Sequence, residues 1–206
     1  WETFGQNLNV NGRQGRFSFQ VLGNNFKSTG FSAALDNDDV VDYDDDGFEQ
    51  RNGLIKIGYQ FTPKLKVDLF GGVDWFDSDF DNGAFIDSDN TLEQKQNRIG
   101  TKITKDYAKG YFTLTAQHTS INRELQSSFP TEYQGGNWFS EIVNKHELNS
   151  SLTVLSGLSF QKLEYGEKDL VADDTTSFTI VDPYASLLFS TRNGLNIHAG
   201  VRLNNH

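Results

Sequence analysis

Residues 54–75 read L-I-K-I-G-Y-Q-F-T-P-K-L-K-V-D-L-F-G-G-V-D-W. Ile55, Ile57, Tyr59 and Phe61 alternate with Lys56, Gly58 and Gln60, and a period of two sends the two sets to opposite faces of a strand. After Thr62-Pro63-Lys64 the alternation resumes, with Leu65, Val67, Leu69, Gly71, Val73 and Trp75 against Lys66, Asp68, Phe70, Gly72 and Asp74. Pro63 has no N–H for a ladder and presets a turn, so the stretch predicts an antiparallel hairpin with one nearly apolar face. Tyr59 and Phe61 lie beside the turn and Trp75 about ten residues up the partner strand, roughly the length that crosses a bilayer between aromatic belts. A soluble sandwich strand with its apolar face in a core gives the same local pattern. Repetition along the chain separates the two.

The pattern repeats. Phe17, Phe19 and Val21 oppose Arg16, Ser18 and Gln20; Ile99, Thr101 and Ile103 oppose Gly100, Lys102 and Thr104; Phe112, Leu114 and Ala116 oppose Thr113, Thr115 and Gln117. Leu152, Val154, Leu158 and Phe160 share a parity, and Leu195, Ile197, Ala199, Val201 and Leu203 oppose Asn196, His198, Gly200, Arg202 and Asn204. Phe139 to Lys145 and Tyr184 to Ser190 are apolar at both parities, and the alternation assigns them no face. Short connections at residues 11–14, 62–64, 105–110, 147–150 and 191–194 alternate with polar ones at Gly23 to Gln50, Asp77 to Thr91, Asn122 to Asn137 and Glu164 to Thr176. Short turns on one side, long polar loops on the other and about ten two-faced strands of about ten residues predict an all-β, antiparallel transmembrane barrel. A sandwich has shorter strands and no such alternation of connections.

Bulk composition agrees. No run of apolar residues is long enough for a membrane helix, and the negative mean hydropathy suits strands that give half their residues to a polar interior. A formal charge of −10 argues against nucleic acid. The absence of cysteine removes disulfides, thiolate zinc sites and thiol catalysis. With no methionine and no leader-like N-terminus, the 206 residues are expected to be a processed chain or a piece of a longer one.

Three phrases resemble TonB-dependent outer-membrane receptors. F-S-F-Q-V-L-G-N-N-F-K-S-T-G-F-S-A-A (Phe17 to Ala34) is similar to their barrel hairpins, and R-N-G-L-I-K-I-G-Y-Q-F-T-P-K-L-K-V-D-L-F-G-G (Arg51 to Gly72) to the periplasmic hairpin that follows. V-D-P-Y-A-S-L-L-F-S with G-L-N-I-H-A-G-V-R-L-N-N-H (Val181 to His206) looks like a later barrel phrase, and the cobalamin-receptor-like branch resembles the chain most. The resemblance implies a plugged barrel of about 22 strands. It also implies localisation in the cell outer membrane and TonB-powered uptake of a scarce nutrient such as cobalamin or a metal chelate. No plug, no TonB-gripping segment and no C-terminal aromatic occur here, so residues 1–206 are expected to be one partial β-barrel region. TonB would then act through a part not in this chain. The alternatives are a soluble calcium-dependent β-sandwich binding module and a small closed outer-membrane barrel serving as pore or adhesin.

Candidate sites lie at the strand ends. Asp42, Asp44, Asp46 and Gly47 match the opening of an EF-hand loop, although Gly53 stands where the bidentate glutamate belongs; Asp77, Asp79 and Asp81 repeat the spacing. Carboxylates this dense repel unless solvated or bridged by a hard cation, and the resemblance to the cobalamin branch implies calcium stiffening these loops. Phe129, Tyr133 and Trp138 are candidates for stacking on a small-molecule substrate, or for an interface belt facing outer-membrane lipid, the role expected of Tyr59, Phe61 and Trp75. His198 and Arg202 share the polar face of the last strand, as barrel interiors generally require. Of the histidines only His118 approaches a long outer loop, and no nucleophile elbow, phosphate loop or zinc-protease motif occurs, so no enzyme is expected.

Overall fold

The computed structural model describes residues 2–32, 34, 43–169 and 173–205. Ten strands follow one another: β1 (Thr3–Gln14), β2 (Phe17–Ser28), β3 (Phe48–Thr62), β4 (Leu65–Phe80), β5 (Asn90–Tyr107), β6 (Gly110–Gln126), β7 (Thr131–Glu147), β8 (Leu152–Lys168), β9 (Asp173–Ser190) and β10 (Asn196–Arg202). They form one antiparallel sheet in chain order, each strand bonded to its sequence neighbours, and β1 does not pair with β10. The hairpin predicted around Pro63 is β3–β4, with a bulge between Gln60 and Thr62 and the turn closed by Lys64 N–H donating to Thr62 Oγ1 at 3.2 Å.

Register fixes the faces. The cross-strand row Phe19–Ile57–Leu69–Thr101–Ala116–Ser140–Phe160–Val181 runs over eight strands on one side. The adjacent row, Ser18–Gly58–Asp68–Lys102–Thr115–Glu141–Ser159–Asp182, runs over the other. The ambiguous segments resolve in the same way: Ile142 joins Leu114 and Leu158 on the apolar face, while Val143 and Phe139 turn to the polar face with Glu141. Leu187 and Phe189 share the apolar face with Ala199 and Ile197.

Burial is inverted relative to a soluble domain. Ala34 is the one buried apolar residue among the described residues, whereas Ile99 is 67% exposed and Leu69 57%. The buried side chains are polar: Asp68, Ser159 and Asp182 on the polar face, with Ser28 and Asn90 near the strand ends. A sandwich would cover the apolar face with a second sheet. Among the described residues all ten strands belong to a single sheet. The polar face organises itself instead. Arg202 donates to Asp182 Oδ2 at 2.7 Å and Ser159 Oγ at 3.2 Å, Lys66 pairs with Asp68 at 2.8 Å, and Tyr184 OH donates to Glu141 Oε1 at 2.9 Å.

Aromatic rings lie over the glycines opposite them. Phe70 covers Gly100 and Tyr184 covers Gly157, each pair in direct register, so a side chain at either glycine would meet the ring. Gly157→Val is expected to cost about 1–3 kcal/mol through overpacking and displacement of the Tyr184–Glu141 bond. A urea or guanidinium unfolding midpoint equal to wild type would contradict it.

The expected loop lengths need correction. The strands run through much of what the composition marks as loop, and β5 and β9 reach 18 residues each. Connections on that side shrink to residues 29–47, 81–89, 127–130 and 169–172, opposite turns at 15–16, 63–64, 108–109, 148–151 and 191–195. The cause is that a ladder needs only backbone groups. Sequences such as Glu-Gln-Lys-Gln-Asn (residues 93–97) pair as strand while remaining polar on both faces, which hydropathy alternation does not register.

Candidate functional site

Two connections on the long-loop side meet. Backbone N–H of Asp79 donates to Gly47 O at 2.9 Å, closing residues 43–47 against the end of β4. Gly30, at φ 72°, sits where a Cβ would strike the backbone carbonyl of Asp46. Asp81 then becomes the hub. Its Oδ2 accepts from Ala34 N–H at 2.6 Å and from Ser32 Oγ at 3.4 Å, and its Oδ1 accepts from Ser88 N–H at 2.9 Å.

The carboxylates of Asp44, Asp81 and Asp87 converge, with one oxygen from each lying within 4.8 Å of the others. Burial pulls the Asp81 carboxyl upward, but the hydrogen bonds from Ser88 and Ala34 N–H, with those involving Asp46 and Ser32, outweigh it and hold it below the ordinary value. Asp87 goes the other way. Burial, its hydrogen bond to Asp44 and the charges of Asp44, Asp81 and Asp46 push it up to about 6. A raised folded-state pKa stabilises below the unfolded value and is lost as pH rises through the folded one. Without a bound cation the junction of residues 43–47 with 81–89 is therefore expected to loosen between about pH 4 and pH 6 as Asp87 ionises. Hydrogen exchange of the Ser88 amide, followed across that range in chelator, checks the sign.

The expected acidic ligands are partly brought together. Asp44 and Asp81 meet, and Asp46 stands beside Asp81. Asp77 and Asp79 instead lie on β4, paired with Glu93 and Thr91 of β5, and do not belong to that carboxylate group. Asp42 lies outside the described residues. Asp87 is the member that the spacing argument overlooks; its Asp-Ser-Asp setting in residues 87–89 is the signal that could have found it.

The three aromatic candidates separate. Phe129 is in the short connection 127–130 and 78% exposed. Tyr133 is on β7 and belongs to the polar face, its ring 6.2 Å from that of Tyr165, whose hydroxyl donates to Glu167 Oε2 at 2.7 Å. Arg123 is opposite Tyr133 on β6. Trp138 turns to the apolar face, stacked on His118 with centroids 4.1 Å apart. His118 is therefore on the apolar face of β6 and is not among the carboxylate group of Asp44, Asp81 and Asp87. On the polar face a further aromatic group forms, with the Phe48 ring tilted against Phe26 at 5.6 Å and against Phe76 at 6.3 Å. Tyr59 and Phe61 meet edge-on at 4.8 Å beside the β3–β4 turn, and Trp75 carries Lys95 Nζ 5.5 Å over its ring at the other end of β4.

No family model matches the chain, and no curated protein matches it in sequence. Solved structures match its fold. The siderophore receptor PirA from Pseudomonas aeruginosa superposes with a TM-score of 0.74 at 16% identity, covering 98% of this chain and 33% of that one. The copper transporter OprC gives 0.78 at 10% identity, covering 98% and 34%. The outer membrane transporter YddB from Escherichia coli gives 0.71 at 9% identity, covering 98% and 33%. The chain thus spans about a third of the length of the structures it matches, and its fold is that of a stretch of their barrel wall.

Proposed function

We propose that these ten strands are part of the wall of a TonB-dependent outer-membrane receptor that takes up a metal chelate of the siderophore class. The observation that carries the reading is the uncovered apolar face on a sheet with two unpaired edges, a form that is stable only in lipid and only within a larger closed barrel. The superposition on receptors named for siderophores and on a copper transporter supports the substrate class. Cobalamin, the other expected substrate, has no counterpart in those names. The apolar face then meets lipid, the polar face lines the interior, and the connections at 29–47 and 81–89 lie outside the cell. TonB acts through a part of the receptor beyond these strands.

In this reading Tyr133, with Tyr165 and Arg123, reaches the substrate from the interior face, and Trp138 does not. Tyr133→Ala in the complete receptor is expected to weaken ferric-chelate binding roughly three- to tenfold. Trp138→Ala should leave it within about twofold. Titration of the detergent-purified receptor with ferric chelates by tryptophan-independent calorimetry checks both. Equal losses would contradict this assignment, and a loss confined to Trp138→Ala would reverse it.

The second element is calcium held by Asp44, Asp81 and Asp87. Oxygens around an ion bound at about 2.4 Å lie no more than about 4.8 Å apart, and the three carboxylates already meet that condition. Hard oxygen donors suit calcium, and the ion would supply the charge that lets Asp87 ionise. Asp81→Asn is expected to weaken calcium binding at least tenfold, and chelator to raise exchange in residues 43–47 and 81–89 in wild type but not in the variant. Calorimetry showing no calcium binding by the wild type at pH 7 would end this part of the proposal and leave the receptor assignment standing.

A further inference from the structure

The apolar face is not uniform. Across β4 to β8 the bulky row is interrupted by Thr101, Ala116 and Ser140, which form the floor of a trough of about 580 Å³. Leu69 and Ile99 wall it on one side, and Trp138 and Phe160 on the other. A second trough of about 600 Å³ adjoins it toward the long-loop end, and its lining is different in kind: Ser120, Asn122 and Gln134, with room made by Gly136 and Gly166. His118 lines both. The charged groups of the two linings are Lys162 in the apolar trough and Glu164 in the polar one, paired across the boundary at 2.6 Å. Trp138, stacked on His118 at that boundary, stands at a height on β7 above its short turn close to that of Trp75 on β4.

An apolar channel that opens into a hydrogen-bonding one at the aromatic belt has the polarity of a single amphiphile. A second barrel or a membrane helix would present apolar surface to both halves and leave the amides of Asn122 and Gln134 unmatched. A phosphate head would find no uncommitted cation, because Lys162 is neutralised by Glu164. Hydroxyls match amides, a serine and a histidine. Resting on the membrane orientation proposed above, we infer that this double trough is a binding site for one glycolipid of the outer leaflet. An acyl chain lies on Thr101, Ala116 and Ser140, and a sugar head sits against Asn122, Gln134 and His118.

The test uses the complete receptor in an alkyl amine oxide detergent, so that no sugar-headed detergent competes. A synthetic monoglucosyl diacylglycerol and a phosphatidylglycerol with the same chains are offered at equal concentration, and native mass spectrometry counts what survives washing. The wild type is expected to keep one glucolipid per barrel and at least tenfold less phosphatidylglycerol. Ala116→Phe and, as a milder filling variant, Ser140→Leu should each lose at least nine-tenths of the retained glucolipid. Ile57→Phe, on the same face outside the trough, should keep it. Unboiled gel mobility establishes that each variant is folded. Undiminished retention in both filling variants, equal retention of the two lipids, or a doubled mass in place of bound lipid would each overturn the inference. A wild-type receptor that stays monodisperse without detergent would overturn the membrane reading itself, a separate failure.

Discussion

Leu69→Arg is expected to destabilise the folded barrel by about 2–4 kcal/mol, the cost of a guanidinium on a lipid-facing strand near the bilayer midplane. Leu69 is 57% exposed and lies in the middle of the apolar row, between Ile57 and Thr101. That row offers the arginine no carboxylate, only the hydroxyls of Thr101 and Ser140, so its charge must snorkel or drag water into the membrane. Asp68→Asn, one residue away, addresses the opposite face. It dissolves the 2.8 Å pair with Lys66, whose side chain is 40% exposed and keeps its hydration, so its cost should be well below that of Leu69→Arg. Reversible unfolding of both variants in lipid vesicles measures the difference. A neutral Leu69→Arg, or a larger penalty for Asp68→Asn, would mean that the face taken as lipid-exposed is wet.

That contrast was readable from the sequence because the side-chain period of a strand is two and Lys-Val-Asp-Leu (residues 66–69) has no ambiguity. Where the parity signal failed, register supplied it. Phe139 and Val143 look as apolar as Ile142, and only pairing with Gln161 and Gly157 places them on the polar side. The hairpin at Pro63 was legible for a covalent reason, a missing donor. The true lengths of β5 and β9 were not, since polar residues join a ladder through backbone groups that composition does not report. The acidic site shows the same division. Asp44 and Asp81 are conspicuous in their runs, but Asp81 is held by hydrogen bonds from Ala34 and Ser32, 47 and 49 residues away in the chain, and from Ser88, the neighbour of Asp87. Trp138 was visible as an aromatic near polar sequence. Its assignment to one face required knowing that β7 pairs His118 against it.

The largest expected effect concerns the edges. Every described residue of β1 except Gly12 is exposed, and all of β10 is. About half the backbone donors and acceptors of each point away from the neighbouring strand. In hydrocarbon each such group costs several kcal/mol if it is left unpaired. Two edges would together exceed the roughly 5–15 kcal/mol that holds an ordinary domain folded. Ten strands in this open form cannot persist in a membrane, whereas the same strands flanked by others lose nothing. In the complete receptor, amides of Thr3–Gln14 and Asn196–Arg202 should therefore exchange as slowly as those of β5 and β6. The segment produced alone should show those two stretches exchanging at least a thousandfold faster, or should aggregate through them. The competing arrangement is closure of β1 onto β10 as a small barrel. Cysteines placed at Asn7 and Gly200 would then form a disulfide under mild oxidation, and a high yield of that cross-link in the folded protein would sink the larger-barrel reading. The expected outcome is no cross-link, because each edge already has a different neighbour.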